Sequence, residues 1–199
     1  MATRLHQLRA VADERGSCTA AATEASLQAL VSSLQGSADT TDERVLLVEQ
    51  PAVPPALAEL WREAAEWHFS RDHCNCFGCN IFPPGAVVQS TETTFGDWEN
   101  RGDWVGFERQ PDAPSVADRG WLCVASFSEF DYLFCCFDSS SPHFGHVRHM
   151  VNNCCSERAV WSDIGILAAR LLQWDAAGGD GEDEDEESAL LAMLSSEGL

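Results

Sequence analysis

At 199 residues and 45% hydrophobic content, the chain is long enough for one compact domain with its own core and a tail. Its formal net charge of −20 sets it against phosphate backbones and excludes nucleic acid as an expected partner. No apolar run approaches the length of a membrane span, and residues 1–15, carrying Arg4, Arg9, Asp13, Glu14 and Arg15, lack the apolar block of a secretory leader.

A cytoplasmic or nuclear location follows, not a secreted one, with the nine cysteines mostly as free thiols. All twelve basic residues are arginine. A GC-rich coding bias accounts for this, and so does selection against lysine modification; the residues do not separate the two.

In chain order, Leu5, Leu8 and Val11 recur at helical spacing, as do Leu27, Leu30, Val31 and Leu34. Two modest helices are expected, the second capped by Ser17 or Thr19 and ended by Gly36. Val45 to Val48 has no clear type. Pro54 and Pro55 suit the first turn of a helix over 56–68, whose stripe is Leu57, Leu60, Trp61, Ala64 and Trp67. Residues 69–85 read as irregular. Val87-Val88 reads as the start of a strand, and Phe95 to Trp104 as a turn-rich loop.

Further strands are expected over 104–109 and 121–127, with a loop between them. Tyr132 to Phe137 is an apolar run with no polar face, which predicts a central strand covered on both sides. Asp138 to Pro142 breaks it. A second run, Phe144 to Val151, then alternates, placing Val147, His149 and Val151 on one face and His146, Arg148 and Met150 on the other, a pattern that suits a strand with one wetter face. The two runs read as a hairpin. Gly145 is expected to serve the backbone, as a bulge or close approach at a strand start. Residues 160–174 read as a closing helix.

Helices first, then consecutive short strands, then a helix predict an α+β fold. Its sheet is mostly antiparallel with about five or six strands, preceded by N-terminal helices and followed by a closing C-terminal helix. The organisation expected is a helical extension over 1–50, an α+β domain over 51–174 and an acidic tail over 175–199. Eight acids lie between Asp175 and Glu187, a density that predicts disorder. Leu190, Leu191, Met193 and Leu194 follow as a short apolar segment suited to docking on a partner.

The most metal-like feature is His73 with Cys74-x-Cys76-x-x-Cys79. A closed zinc site needs four thiolate or imidazole ligands, and no second C-x-x-C completes this one. Semi-buried thiols are the plainer reading, and a structural zinc the sharper one. His143, His146 and His149 are three apart, but on a strand 143 and 149 share a side and 146 opposes them. Ser139 to Ser141 near His143 lacks the Gly-x-Ser-x-Gly elbow of a hydrolase, and no phosphate-binding loop is present. Trp98 and Trp104, with Asp97 and Asp103, form a candidate partner surface, where aromatic anchors concentrate.

Asp131-Tyr132-Leu133-Phe134, Ser140-Ser141-Pro142, Phe144-Gly145-His146-Val147-Arg148-His149 and Val151-Asn152-Asn153-Cys154 resemble the SUKH superfamily. That superfamily includes fungal cell-wall-synthesis regulators, bacterial toxin-immunity proteins and herpesvirus tegument-type proteins. The Trp61 helix and Ile81-Phe82-Pro83-Pro84-Gly85 fit its order of elements, so the resemblance covers roughly residues 55 to 174. The Cys74 to Cys79 cluster lies outside its general pattern. The resemblance implies a non-enzymatic α+β module that binds other proteins, without catalytic residues or cofactor, in a regulatory, immunity or host-defence role. The competing class is a zinc- or thiol-dependent protein built on Cys74, Cys76 and Cys79.

Overall fold

The computed structural model describes residues 9, 18–37, 48–69, 79–100, 120–127, 131–151 and 156–176. Within them the order is α1 (Glu24–Ser37), α2 (Pro55–Glu63), β1 (Trp67–Phe69), β2 (Cys79–Ile81), a 3-10 turn (Pro84–Ala86), α3 (Val87–Asn100), β3 (Trp121–Phe127), β4 (Asp131–Cys136), β5 (Val147–Val151), β6 (Ser156–Trp161) and α4 (Ile164–Ala176). The fold is α+β. Its sheet has six strands, every neighbouring pair antiparallel, in the order β1-β2-β3-β4-β5-β6.

Thr23, not Ser17 or Thr19, starts α1: its hydroxyl accepts the Ser26 N–H at 3.1 Å. Thr19 is used elsewhere, accepting the Glu66 N–H at 3.0 Å. The helix also runs through Gly36, because Leu27, Leu30 and Leu34 hold it on the core. The expected segment around Leu5 and Leu8 lies outside the described residues.

Helix α2 ends at Glu63 and not at His68. Its freed carbonyls are met from a distance. Ala22 N–H donates to Trp61 O at 2.8 Å, and the Trp67 indole donates to Leu60 O at 3.3 Å. Ala64 is already extended, so Trp67 belongs to β1 and reaches the core from a strand.

The expected strand at Val87 and loop from Phe95 are corrected by α3. Pro83 and Pro84 start the turn that leads into it. Its Val and Thr residues read as strand formers, but Thr91 and Thr94 return their hydroxyls to Val87 O and Ser90 O at 2.7 and 2.8 Å. Thr91 also accepts the Cys123 N–H at 2.9 Å, which fastens α3 to β3. The strand and loop expected over 104–119 lie outside the described residues.

The helix expected over 160–174 begins only at Ile164, where Asp163 accepts the Ile166 N–H at 3.0 Å. A sixth strand, β6, stands before it, pairing Val147 with Trp161 and Val151 with Ser156. Strand β4 is central, as the apolar run predicts. Leu133 and Cys135 enter the main core, and Phe134 and Cys136 enter a smaller cluster on the other face.

The main core joins Leu27, Leu30 and Leu34 of α1, Leu57, Leu60 and Trp61 of α2, and Ile164, Leu167 and Ala168 of α4 to that face of the sheet. Burial of such side chains contributes about 1.5–3 kcal/mol each. Trp61 locks the layers together by donating from Nε1 to Phe82 O at 2.9 Å and tilting against Phe137 at 6.4 Å between ring centroids.

Residues 48–52 lie beside the end of β4. Ala52 N–H donates to Phe137 O and Ser139 N–H to Gln50 O, at 3.0 and 2.9 Å. Asp138, 5% exposed, gathers this junction. Its carboxylate accepts from Glu49 N–H at 3.2 Å, Gln50 N–H at 3.3 Å, Ser140 N–H at 2.9 Å and the Ser140 hydroxyl at 2.7 Å.

Gly145 lies in the turn before β5 with φ +83°, and an added Cβ would meet Pro54 Cβ only at an ordinary 3.5 Å. Its role is therefore the left-handed backbone and not a close approach. Gly145→Val should cost about 2 kcal/mol in urea unfolding, and Gly145→Asn distinctly less. Equal costs for the two would assign the demand to space instead.

Candidate functional site

Period-two alternation sends Trp121 and Cys123 of β3, Phe134 and Cys136 of β4 and Arg148 of β5 to the face opposite the main core. Trp121 sits directly across from Cys136, and Phe134 across from Arg148. The expectation of a wet face at β5 is overturned here. Arg148 is 7% exposed and places its guanidinium 4.0 Å from the centre of the Trp121 ring. His149, paired with Leu133 on the main-core side, is also buried.

The turn between β4 and β5 completes the cluster. Gly145 N–H donates to Cys136 O at 3.0 Å, and Cys136 N–H to His146 O at 3.1 Å, so the turn folds back on the end of β4. His143 then lies 6.1 Å from Trp121 and 5.4 Å, edge-on, from His146. This corrects the expected pairing of 143 with 149: residues 143–146 form a turn, so strand alternation does not apply to them. Two buried polar atoms of the cluster, Trp121 Nε1 and His146 Nδ1, have no hydrogen-bond partner. Burial, with His143 and Arg148 close by, holds His146 below the ordinary imidazole range.

A second feature of this face is a polar row. His68, Asn80, Ser126 and Tyr132 stand on four adjacent strands in direct register, each half-buried. His68 Nδ1 is 2.6 Å from Asn80 Oδ1, and Asn80 Nδ2 donates to Ser126 Oγ at 3.4 Å. Glu66 lies 3.6 Å from His68 Nε2. Asn80 separates the serine from the histidine, so the row does not form a nucleophile–base pair.

The four buried thiols among the described residues, Cys79, Cys123, Cys135 and Cys136, are poorly placed for chemistry. Burial pushes Cys79 and Cys123 up to about 12, and Cys135 well above its ordinary value. Cys136 is raised by burial too, with partial relief from hydrogen bonds to Asp138 and Ser141. Cys79 is a core residue of β2, while His73, Cys74 and Cys76 lie outside the described residues. Among the described residues no three His, Cys, Asp or Glu side chains gather as a metal shell.

Asp97 and Trp98 belong to α3, not to a loop. Trp104, Asp103, Leu190, Leu191, Met193 and Leu194 lie outside the described residues. Sequence reasoning missed Trp121 and Arg148 as a pair. The signal was an arginine inside an apolar strand, which needs a buried partner to be tolerated. No described helix is long and apolar enough to cross a membrane. No protein-family model matches the chain, and no curated protein matches it.

Proposed function

We propose that this chain is a non-enzymatic protein-binding module, in the regulatory, immunity or host-defence role that its resemblance to the SUKH superfamily implies. The observation that carries this reading is the second face of the sheet. Four adjacent strands present His68, Asn80, Ser126 and Tyr132 half-buried, beside the Trp121–Arg148 cluster. A row of hydrogen-bonding side chains next to an aromatic and an arginine matches the chemistry of interface centres. The raised thiols support the same reading, because a thiol held protonated is a weak nucleophile and a weak metal ligand.

The test is capture of a partner by the full chain from extracts of its own source cells. Ser126→Arg puts a long charged side chain in the middle of the polar row. It should weaken retention of a specific protein by roughly tenfold or more, with the melting temperature unchanged. Stoichiometric zinc in the purified protein, together with a hydrolytic activity lost in Cys76→Ser, would overturn the reading and install the metal- or thiol-dependent class.

A further inference from the structure

We propose that Trp121, His143, His146 and Arg148 form a carboxylate-binding site that receives an Asp or Glu side chain of a protein partner whose surface is otherwise neutral or basic. This deepens the protein-binding reading and rests on it.

The first argument is the unfulfilled donor. Trp121 is 9% exposed, and its Nε1 is a hydrogen-bond donor only, buried without a partner. A buried unpaired N–H costs about 1–3 kcal/mol, a deficit that an incoming acceptor removes. His146 Nδ1, a donor or an acceptor according to tautomer, is a second buried polar atom of the cluster without a partner. The second argument is charge. Arg148 stacks over the indole face, its guanidinium 4.0 Å from the ring centre, and so lies outside the ring plane along which the Nε1 N–H points. It therefore supplies positive potential to the site without having to give up the stack. His143 and His146, both half-buried, keep part of their surface open beside Trp121, and the ligand is proposed to approach from their side.

The donors select the ligand class. An indole N–H beside an arginine favours an anionic oxygen acceptor over an amide, since a charged acceptor makes hydrogen bonds roughly twice as strong. The whole chain selects the surroundings. At −20 it repels a polyacidic segment and attracts a basic surface. One carboxylate within a neutral or basic patch satisfies both conditions, and a run of acids does not.

The experiment follows the Trp121 indole N–H and the His146 ring protons by NMR in the full chain. The probes are acetyl-glutamate-N-methylamide and its uncharged glutamine counterpart. The expected result is saturable movement of both signals with the glutamate probe, at least roughly tenfold tighter than with the glutamine probe. Trp121→Phe keeps an aromatic under Arg148 and deletes only the donor. It should weaken the glutamate probe by a similar factor, read at His146. His143→Gln, at a half-exposed position, gives the same test where the core is untouched. Equal binding of the two probes, tighter binding of inorganic phosphate or of a peptide's terminal carboxylate, or no movement of either signal would overturn the proposal. A chain that captures its partner yet shows no carboxylate preference loses this inference alone. A chain that binds the glutamate probe and captures no protein loses the wider reading.

Discussion

Asp138→Ala is expected to lower the unfolding free energy by about 2–4 kcal/mol, read by urea denaturation at neutral pH. The side chain is the common acceptor for Glu49, Gln50 and Ser140, so its loss strands two distant backbone donors and leaves residues 48–52 held to the end of β4 by the Ala52–Phe137 and Ser139–Gln50 backbone bonds. The cost stays below the sum of four bonds because Ser140 is exposed and its N–H and hydroxyl can turn to water. Asp138→Asn keeps the shape and one acceptor oxygen, and should cost less than half as much.

The same residue imposes a pH dependence. Burial alone would raise its carboxyl, but the hydrogen bonds from Ser140, Glu49 and Gln50 win, and the folded value lies below the ordinary one. A carboxylate depressed in the folded state stabilises fully above its unfolded value, about pH 4. That contribution is lost as pH falls through the lower folded value. The stability gap between the parent and Asp138→Ala should therefore be widest near neutral pH and shrink in acid. A gap that stayed constant down to pH 2 would show that the ionised form is not the one that matters.

Gly120→Ala is expected to cost about 2–5 kcal/mol, measured in the same way. Two causes combine. The residue has φ +95°, a region that L side chains rarely occupy, and a Cβ there would stand 2.7 Å from Asp138 Cβ and 3.3 Å from Asp138 N. Neither can shift cheaply, because Phe137 N–H donates to Gly120 O at 2.7 Å and pins the two backbones together. Removing the opposing Cβ in Asp138→Gly should make the double change cheaper than the sum of the single ones. Strict additivity would mean that backbone strain, not the contact, sets the cost.

The elements legible from sequence were those whose pattern and partner coincide. The β4–β5 hairpin was legible because an unbroken apolar run and a turn of Asp, Ser and Pro lie next to each other in the chain. The leucine stripe of α1 was legible for a similar reason. The misread elements are those decided by distant residues. Trp67 fits the stripe of α2, yet Ala22 and the core draw the helix to a stop before it. Ser156 to Trp161 contains helix formers, yet pairing with β5 makes it a strand. Val87 to Thr94 contains strand formers, yet the hydroxyls of Thr91 and Thr94 bond within a helix and against β3.

For the site, strand alternation placed Arg148 on the correct face and predicted the wrong environment. Period alone does not reveal that a tryptophan 27 positions upstream covers the guanidinium. The contact of His143 with His146 depends on a turn with a left-handed glycine, and spacing read as a strand separates them.

The two outer strands bear on how another protein can approach. A sheet edge with free N–H and C=O groups is a template for strand addition by a second chain. At one edge β1 is only three residues long, and Cys18 already bridges Trp67 while Thr19 bonds both polar groups of Glu66. At the other edge the pairing of β6 skips from Ala159 to Glu157, leaving Arg158 in a bulge beside an acidic neighbour. A short, occupied edge and a bulged one are both poor templates for extending the ladder. Extension of the sheet by another strand is thereby discouraged at both ends, so the protein partner proposed above would have to meet side chains on a face of the sheet and not its edges.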